Sequence, residues 1–411
     1  MCGILALLNS ARSADELRVL ALKRRVFIRH RGPDGSGIYP MHFHKADKQH
    51  ILVHERLSMV GVESGKQPLH NPSKTLSLVA NGEIYNAEEL KDEIDRDSGT
   101  PYPYEMDSDC EIFLAAYEHH QNELKVMLKR FNGIFSFVMI DEERERFIIA
   151  RDNVGATSLY YGKLSDGTIM VASELKALDG VCESYEEFPA GFVYCSSWEK
   201  PLQRWYEPKW REIIPRNSPD LEKIRSIMES AVSTRLQFDI TCSLMLSGGL
   251  ESSLMAAVAV RLAEKENAKS KLHSFSIGLE GASDLQMAAK VAKYLDLEHK
   301  EVTFTAQQGF DAVREVIYSL ETYDVETIRA GIPMYLLARY IKAMGIKVVL
   351  SGDGADEIFG GNSCVHNDNA PSAEEMHYET VKRIENLQYR DCLRNNKGTM
   401  AWGVECRAPF L

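Results

Sequence analysis

Leu244-Met245-Leu246-Ser247-Gly248-Gly249-Leu250-Glu251-Ser252-Ser253 is the stretch on which the reading of this chain turns. The apolar run 244–246 reads as a buried strand, and the Ala/Leu/Val-rich run 254–264 reads as a helix. Between them lies a loop of small hydroxyl residues around Gly248 and Gly249, which can take positive φ and let backbone approach a ligand. The free N–H groups of the helix start, with the hydroxyls of Ser247, Ser252 and Ser253, form a nest for an anion such as phosphate. The Gly-Lys-Ser/Thr ending of a P-loop is missing. A Gly-Gly turn between strand and helix is also a common structural turn, so the surrounding chain has to decide.

Outward from this loop, apolar strands alternate with amphipathic helices from Asp220 onward, the pattern of a doubly wound parallel sheet in an α/β domain. Strands are expected at 243–246, 272–279 and 346–350. Ligands of such sheets bind at the carboxyl ends of the strands, where the glycine-rich loops fall here. Ser351-Gly352-Asp353-Gly354-Ala355-Asp356-Glu357 comes directly off the last of these strands and brings carboxylates to the phosphate-loop edge. Carboxylates beside phosphates imply Mg²⁺, a hard cation that takes oxygen ligands from both.

Bulk composition constrains the rest. The 411 residues are 44% hydrophobic and 26% charged, which suits a soluble protein of two domains. A net charge of −12 with no basic tract argues against a nucleic-acid surface. No apolar run is long enough to span a bilayer, and the N-terminus lacks the basic segment of a signal peptide. The 8 cysteines are scattered without a CxxC spacing, indicating neither a zinc site nor a disulfide scaffold. A reduced, cytoplasmic protein is expected.

The first half starts with Met1-Cys2-Gly3. Removal of Met1 leaves Cys2 carrying a free α-amine of pKa near ~8 beside its own thiol. That amine can act as general base for the nucleophile; the bland alternative is an incidental buried cysteine. The run from Cys2 to Leu8 reads as a buried strand. It is followed by the loop Arg29-His30-Arg31-Gly32-Pro33-Asp34-Gly35, then His54-Glu55-Arg56-Leu57-Ser58-Met59-Val60, then Gln67-Pro68-Leu69. Further on come Asn81-Gly82-Glu83-Ile84-Tyr85-Asn86, and Asp107-Ser108-Asp109-Cys110-Glu111 before a helical stretch. Many short strands in a row suggest two packed sheets.

This order of motifs resembles the class II glutamine amidotransferase domain through about Gly191. The resemblance implies an α+β sandwich of the N-terminal-nucleophile hydrolase type (αββα) in which Cys2 attacks the glutamine side-chain amide. It further implies that Arg56 pairs with the substrate α-carboxylate, that Leu57, Ser58, Met59 and Val60 line the pocket, and that Asp109 and the Gly82-Glu83 backbone hold the α-ammonium. Asn81 and the Gly82 N–H would form the oxyanion hole. Taken singly, Arg56 reads equally as a surface ion pair and Asn81-Gly82 as a hairpin turn.

The whole chain resembles the glutamine-hydrolysing asparagine synthetases, with Tyr323-Asp324-Val325-Glu326-Thr327-Ile328-Arg329-Ala330 and Ala401-Trp402-Gly403-Val404-Glu405 adding to the match. The resemblance implies a glutaminase domain at 2–191, a linker at 192–214 and an ATP-dependent synthetase domain at 215–411 that the family continues beyond Leu411. It implies glutamine, aspartate and ATP as substrates, Mg²⁺ as cofactor, and a homodimer. Met245, Ser247, Gly248, Gly249, Glu251, Ser252, Ile277, Ser351 and Gly352 would surround ATP, with Glu251 and Asp356 on the metal. Asp353 takes the place of the acid governing the acyl-adenylate, and Lys397 that of a lysine near the reacting groups. Departures from the family pattern are Glu251 for aspartate, Asp353 for glutamate, Ala355 for serine and Gly331-Ile332 for a Ser-Thr pair. They leave two other readings open, a ligase with another acyl acceptor and a paralogue that no longer synthesises.

Overall fold

The computed structural model describes residues 1–58, 65–106, 108–120, 123–214, 216–236, 242–266, 272–361 and 372–411. The chain divides into two compact units, Met1–Glu207 and Pro208–Leu411.

The first unit runs β1 (Gly3–Ser10), α1 (Ala14–Arg24), β2 (Gly35–Phe43), β3 (Lys48–Arg56), β4 (Leu69–His70), β5 (Leu76–Ile84), α2 (Ala87–Ser98), α3 (Ile112–His119) and α4 (Leu124–Leu128). It continues through β6 (Gly133–Asp141), β7 (Arg146–Arg151), β8 (Tyr160–Lys163), β9 (Ile169–Ala172), β10 (Ser184–Glu187), β11 (Phe192–Cys195) and β12 (Leu202–Arg204). Among the described residues these form two six-stranded sheets, ordered β10-β8-β9-β1-β3-β2 and β12-β11-β7-β6-β5-β4.

The apolar run of β1 is explained by burial on both faces. Ile4, Ala6 and Leu8 pack between the sheets against Val79, Val138 and Ile149. Leu5 and Leu7 point the other way, onto Leu17 and Ala21 of α1. The outer face of the second sheet, with Leu78, Ala80 and Phe137, is covered by Leu90 of α2 and Phe113 of α3. The result is the expected four-layer αββα sandwich, and each leucine buried this fully contributes about 1.5–3 kcal/mol. Residues 192–204, read from sequence as part of the linker, instead pair with β7 and with each other in the second sheet. Trp205 donates its indole N–H to the Arg151 carbonyl at 3.1 Å, which holds the end of this stretch in the first unit.

The second unit runs α5 (Leu221–Arg235), β13 (Cys242–Met245), α6 (Leu250–Lys265), β14 (His273–Leu279), α7 (Ser283–Tyr294), β15 (Glu298–Phe304), α8 (Ala306–Leu320), α9 (Val325–Ala343), β16 (Val348–Leu350) and α10 (Ala355–Phe359), and returns to the sheet with β17 (Glu405–Arg407). The described strands form one five-stranded sheet, β15-β14-β13-β16-β17, with every pairing parallel. Because β14 lies on one side of β13 and β16 on the other, the strand order reverses at β13. That is the switch point at which such sheets bind ligands. The sequence reading missed β15 and β17. Helix α6 starts four residues before the expected 254, because extended Gly249 caps it directly off the loop.

Candidate active site

Cys2 stands at the head of β1, a central strand held by β3 on one side and β9 on the other. Its backbone N–H donates to Asn81 Oδ1 at 2.6 Å, and its thiol lies 3.9 Å from the Leu57 carbonyl. The Cys2 carbonyl accepts from Arg31 Nε at 2.9 Å. Arg31 is fully buried and its other end pairs with Glu174 Oε1 at 2.7 Å. The sequence reading quoted Arg31 but gave it no task, and did not single out Glu174; the basic-then-Gly-Pro-Asp run was the available signal. In that run Asp34 accepts from the Ser58 N–H at 2.9 Å, while its own N–H donates to the Arg56 carbonyl at 3.0 Å. The loop thereby fastens the segment that carries Arg56, Leu57 and Ser58, all three of them buried. Met59 and Val60 lie outside the described residues.

Asn81 and Gly82 are not a hairpin turn. They sit inside β5, opposite Ser136 and Phe135 of β6. Asn81 is fully buried, and accepting from the Cys2 N–H fixes its Oδ1, so its Nδ2 points elsewhere, buried and without a protein partner. A buried amide donor left unmet costs about 1–3 kcal/mol, so this N–H is placed for an acceptor the protein does not supply. Backbone groups of consecutive residues on an antiparallel strand face opposite sides, and those of alternate residues the same side. The Ala80 N–H donates to Gln67 Oε1 at 2.8 Å and the Ile84 N–H to Asp109 Oδ2 at 2.6 Å, both away from β6. The Gly82 N–H, midway between them, faces the same edge, next to the Asn81 amide. Gly82 has φ +152°, and a Cβ there would lie 2.0 Å from the Ile134 carbonyl oxygen, so no other residue fits. Cys2, Asn81, Gly82 and Asp109 thus meet along one edge of β5, beside the buried Arg56 segment.

The second site is a cavity of about 360 Å³ at the carboxyl ends of β13, β14 and β16. Of the residues singled out from sequence, Met245, Ser247, Glu251, Ser252, Ile277, Ser351, Gly352, Asp353 and Asp356 line it. Gly248 and Gly249 shape the loop without lining the cavity. At φ +83°, Gly248 brings the backbone so near α7 that a Cβ would meet Ala288 N at 2.5 Å. The hydroxyls of Ser247 and Ser252 lie 2.9 Å apart, closing the loop over the start of α6.

Sequence reasoning missed two charged residues of this cavity, Asp391 and Arg394. Arg394 pairs with Asp391 and, at 3.5 Å, with Asp353. The Ser351 hydroxyl also donates to Asp353. Burial pushes the Asp391 carboxyl up, against the pull of Arg394. Asp356 is likewise held above the usual carboxylate range, by burial and then by Glu251, whose carboxylate meets it directly. Lys397 is not part of the lining. It is buried on a π-helical turn, Arg394–Gly398, and ion-paired with Glu321.

Gly331 and Ile332 are also away from the cavity. A Cβ on Gly331 would lie 2.6 Å from Leu320 Cδ1 on α8, and Ile332 packs in the apolar seam between α8 and α9. The lining residues of α9 are Ala330, Pro333, Met334 and Leu337. The missing hydroxyls therefore fall at a helix contact and not on the lining of this cavity.

An αββα sandwich with a cysteine heading its central strand, joined to a parallel sheet with a glycine-rich loop at its switch point, defines a two-part amidotransferase architecture. The glutamine amidotransferase domain family matches residues 1–193. The asparagine synthase family matches residues 223–372 and 367–411. Asparagine synthetase [glutamine-hydrolyzing] 1 of Lotus japonicus is 47% identical over all of this chain and 68% of its own length. Asparagine synthetase [glutamine-hydrolyzing] 3 of Arabidopsis thaliana is 46% identical, with 69% of its length covered. The corresponding protein of Sandersonia aurantiaca is 46% identical, with 76% covered. The chain belongs to the glutamine-hydrolysing asparagine synthetase family.

Proposed function

We propose that the chain hydrolyses glutamine at Cys2 and uses the nitrogen to convert aspartate to asparagine with ATP. The buried, unpartnered Asn81 Nδ2 beside Cys2 carries the first half of this reading. Once Met1 is removed, the Cys2 α-amine takes the thiol proton and sulfur attacks the amide carbon. The oxygen of the tetrahedral adduct receives Asn81 Nδ2–H and Gly82 N–H. The C–N bond then breaks, the amine returns its proton to the leaving ammonia, and water hydrolyses the thioester to glutamate. Arg56 pairs with the substrate α-carboxylate and Asp109 with its α-ammonium.

In the second unit the aspartate β-carboxylate attacks the α-phosphorus of ATP, the bond to the β-phosphate breaks, and pyrophosphate leaves. Ammonia then attacks the acyl carbon of the β-aspartyl adenylate and AMP departs. The loop Ser247–Ser252 and the start of α6 cradle phosphate. Arg394, which joins Asp353 and Asp391, supplies positive charge on the same lining. The donor set fits Mg²⁺, since Glu251, Asp353, Asp356 and Asp391 offer only carboxylate oxygens. Such a cation takes one or two carboxylates and completes its shell with phosphate and water. Glu251 and Asp356 would hold it, and when bound it would offset the charge of the phosphates. Glu251 and Asp353 keep the acid groups of the family with their lengths exchanged, so the adenylation step is slow rather than absent.

Asparagine formation from glutamine and from ammonia, with aspartate-dependent pyrophosphate release, tests the reading. Ammonia-driven synthesis that survives Cys2→Ala, with glutamine-driven synthesis lost, supports it; no aspartate-dependent pyrophosphate from the parent protein under either nitrogen source overturns it. No helix among the described residues is long and apolar enough to cross a membrane. A cytoplasmic homodimer completes the proposal, its assembly open to light scattering.

A further inference from the structure

Strand β4 is only two residues long, with Leu69 opposite Leu78 and His70 opposite Ser77 on β5. Carried on in register, Pro68 would oppose Val79 and Gln67 would oppose Ala80. The strand stops at Leu69, short of Gln67, so no backbone group of β4 reaches the Ala80 N–H. The Gln67 side chain takes over: its Oε1 accepts from the Ala80 N–H at 2.8 Å. The other backbone group of Ala80 is held as well, because the ring of His54 on β3 bonds the Ala80 carbonyl. His54 is fully buried, and burial lowers its pKa to about 3, so the ring is neutral. The backbone of Gln67 is itself wedged against the first sheet, where a Cβ on Gly37 of β2 would lie 1.9 Å from the Gln67 carbonyl oxygen. Ala80 is therefore gripped at both its donor and its acceptor by side chains anchored outside β5, and the next two residues carry the oxyanion donors.

We infer that Gln67 and His54 are positioning residues for glutamine hydrolysis, which aim the Asn81 amide and the Gly82 N–H by clamping the backbone of Ala80. The inference rests on the glutaminase reading above. Both act through the backbone of Ala80. Their effect is confined to donors that matter most when the amide oxygen becomes an oxyanion, so it falls on kcat rather than on KM.

The experiment compares Gln67→Met, which keeps length and loses the acceptor, with Gln67→Glu, which keeps an acceptor oxygen. Displacing a catalytic group by about an ångström costs roughly a hundredfold. Gln67→Met is expected to lower kcat for glutamine roughly 10- to 100-fold with KM within about twofold, whereas Gln67→Glu stays within about threefold of the parent. The aldehyde analogue of glutamine, which adds to the Cys2 thiol as a tetrahedral hemithioacetal, should lose affinity for Gln67→Met by the same factor as kcat falls. Gln67→Ala replaces Gln67→Met if the latter does not fold by circular dichroism. An unchanged kcat in the acceptor-less variant overturns the inference. So does an equal fall in Gln67→Glu, or a loss of glutamine and aldehyde binding in parallel. Cys2→Ala is run beside them: hydrolysis that survives it overturns the glutaminase reading and this inference with it, while Cys2-dependent hydrolysis indifferent to Gln67 overturns the inference alone.

Discussion

Around Cys2, groups are met by partners of the opposite kind; around Asp356, like meets like. In the first unit the Cys2 carbonyl meets Arg31, Arg31 meets Glu174, and the Cys2 N–H meets Asn81. Strands β1 and β5 place Cys2 and Asn81, a 3₁₀ turn and the segment after β9 bring in Arg31 and Glu174, and the Asn81 Nδ2 donor is left for the chemistry. In the second, Glu251 meets Asp356, Asp353 shares a cavity with Asp391, and Arg394 is the one cation among the lining residues. A strand-built site fixes its geometry by backbone register and has little room to drift. A site of facing carboxylates on loops is completed by what it binds, and there a side chain can lengthen or shorten by a methylene without loss of fold. The departures from the family pattern fall on the second side, as that difference leads one to expect.

Five measurements break or sharpen the contrast. The largest effect belongs to Cys2→Ala, which should bring glutamine hydrolysis to background while ammonia-driven synthesis continues; a retained glutaminase rate would remove the nucleophile from the scheme. Next, Asn81→Ala should lower kcat for glutamine about 10²–10³-fold, the usual range for one oxyanion donor. A change in KM alone would make Asn81 a binding residue. Third, Arg56→Ala should weaken glutamine binding by about 2–3 kcal/mol, read as a roughly 30- to 150-fold rise in KM with ammonia-driven activity kept.

The fourth moves to the second unit and inverts the sign. Glu251→Asp should raise aspartate-dependent pyrophosphate release by roughly several-fold, and Asp353→Glu should raise it further. Both residues act on Asp356, whose carboxyl Glu251 and, more weakly, Asp353 push up. Their gains in the double variant should therefore depart from the product of the two single gains, as for sites that share a partner. Rates that fall in Glu251→Asp would show that glutamate is the working residue. The smallest effect is expected from Gly331→Ser. Its Cβ crowds Leu320, so stability should drop by about 1 kcal/mol in a thermal melt. The KM for aspartate should stay within about twofold, and a larger shift would return this position to the acceptor pocket.

How much of this was legible in the sequence varies with the range of the interaction. Strand β1 and the loop at Ser247 were readable because local pattern alone specifies them: a run apolar on both faces, and glycines between a strand and a helix. The oxyanion pair was readable only through the resemblance, since Asn-Gly by itself signals a turn. Arg31 and Glu174 are 143 positions apart, and no spacing rule connects them. Strand β15 hid because it is an edge strand, with Glu298, Lys300 and Glu301 exposed along it where an apolar run was sought. Strand β17 is three residues long, too short to announce a period. Lys397 was expected beside the reacting groups and sits against Glu321 instead. The π-helical turn at Arg394–Gly398 is wider than an α-turn and rotates Lys397 off the face that Arg394 presents to the cavity.

The central place of β1 also sets a timetable. The strand that carries the nucleophile is among the first parts of the chain to be made, yet Leu5 cannot find its partner Ala172 until residues far downstream exist. At about 5–20 residues per second of synthesis, that wait lasts roughly 10–30 s. Asn81 arrives in the interval, but Glu174, which anchors Arg31 beneath the Cys2 carbonyl, comes only with the closing of the first sheet. A nascent chain thus carries its reactive thiol for most of that time without the frame that makes it an enzyme. Glutamine hydrolysis therefore waits on Glu174, the last member of that frame to be made.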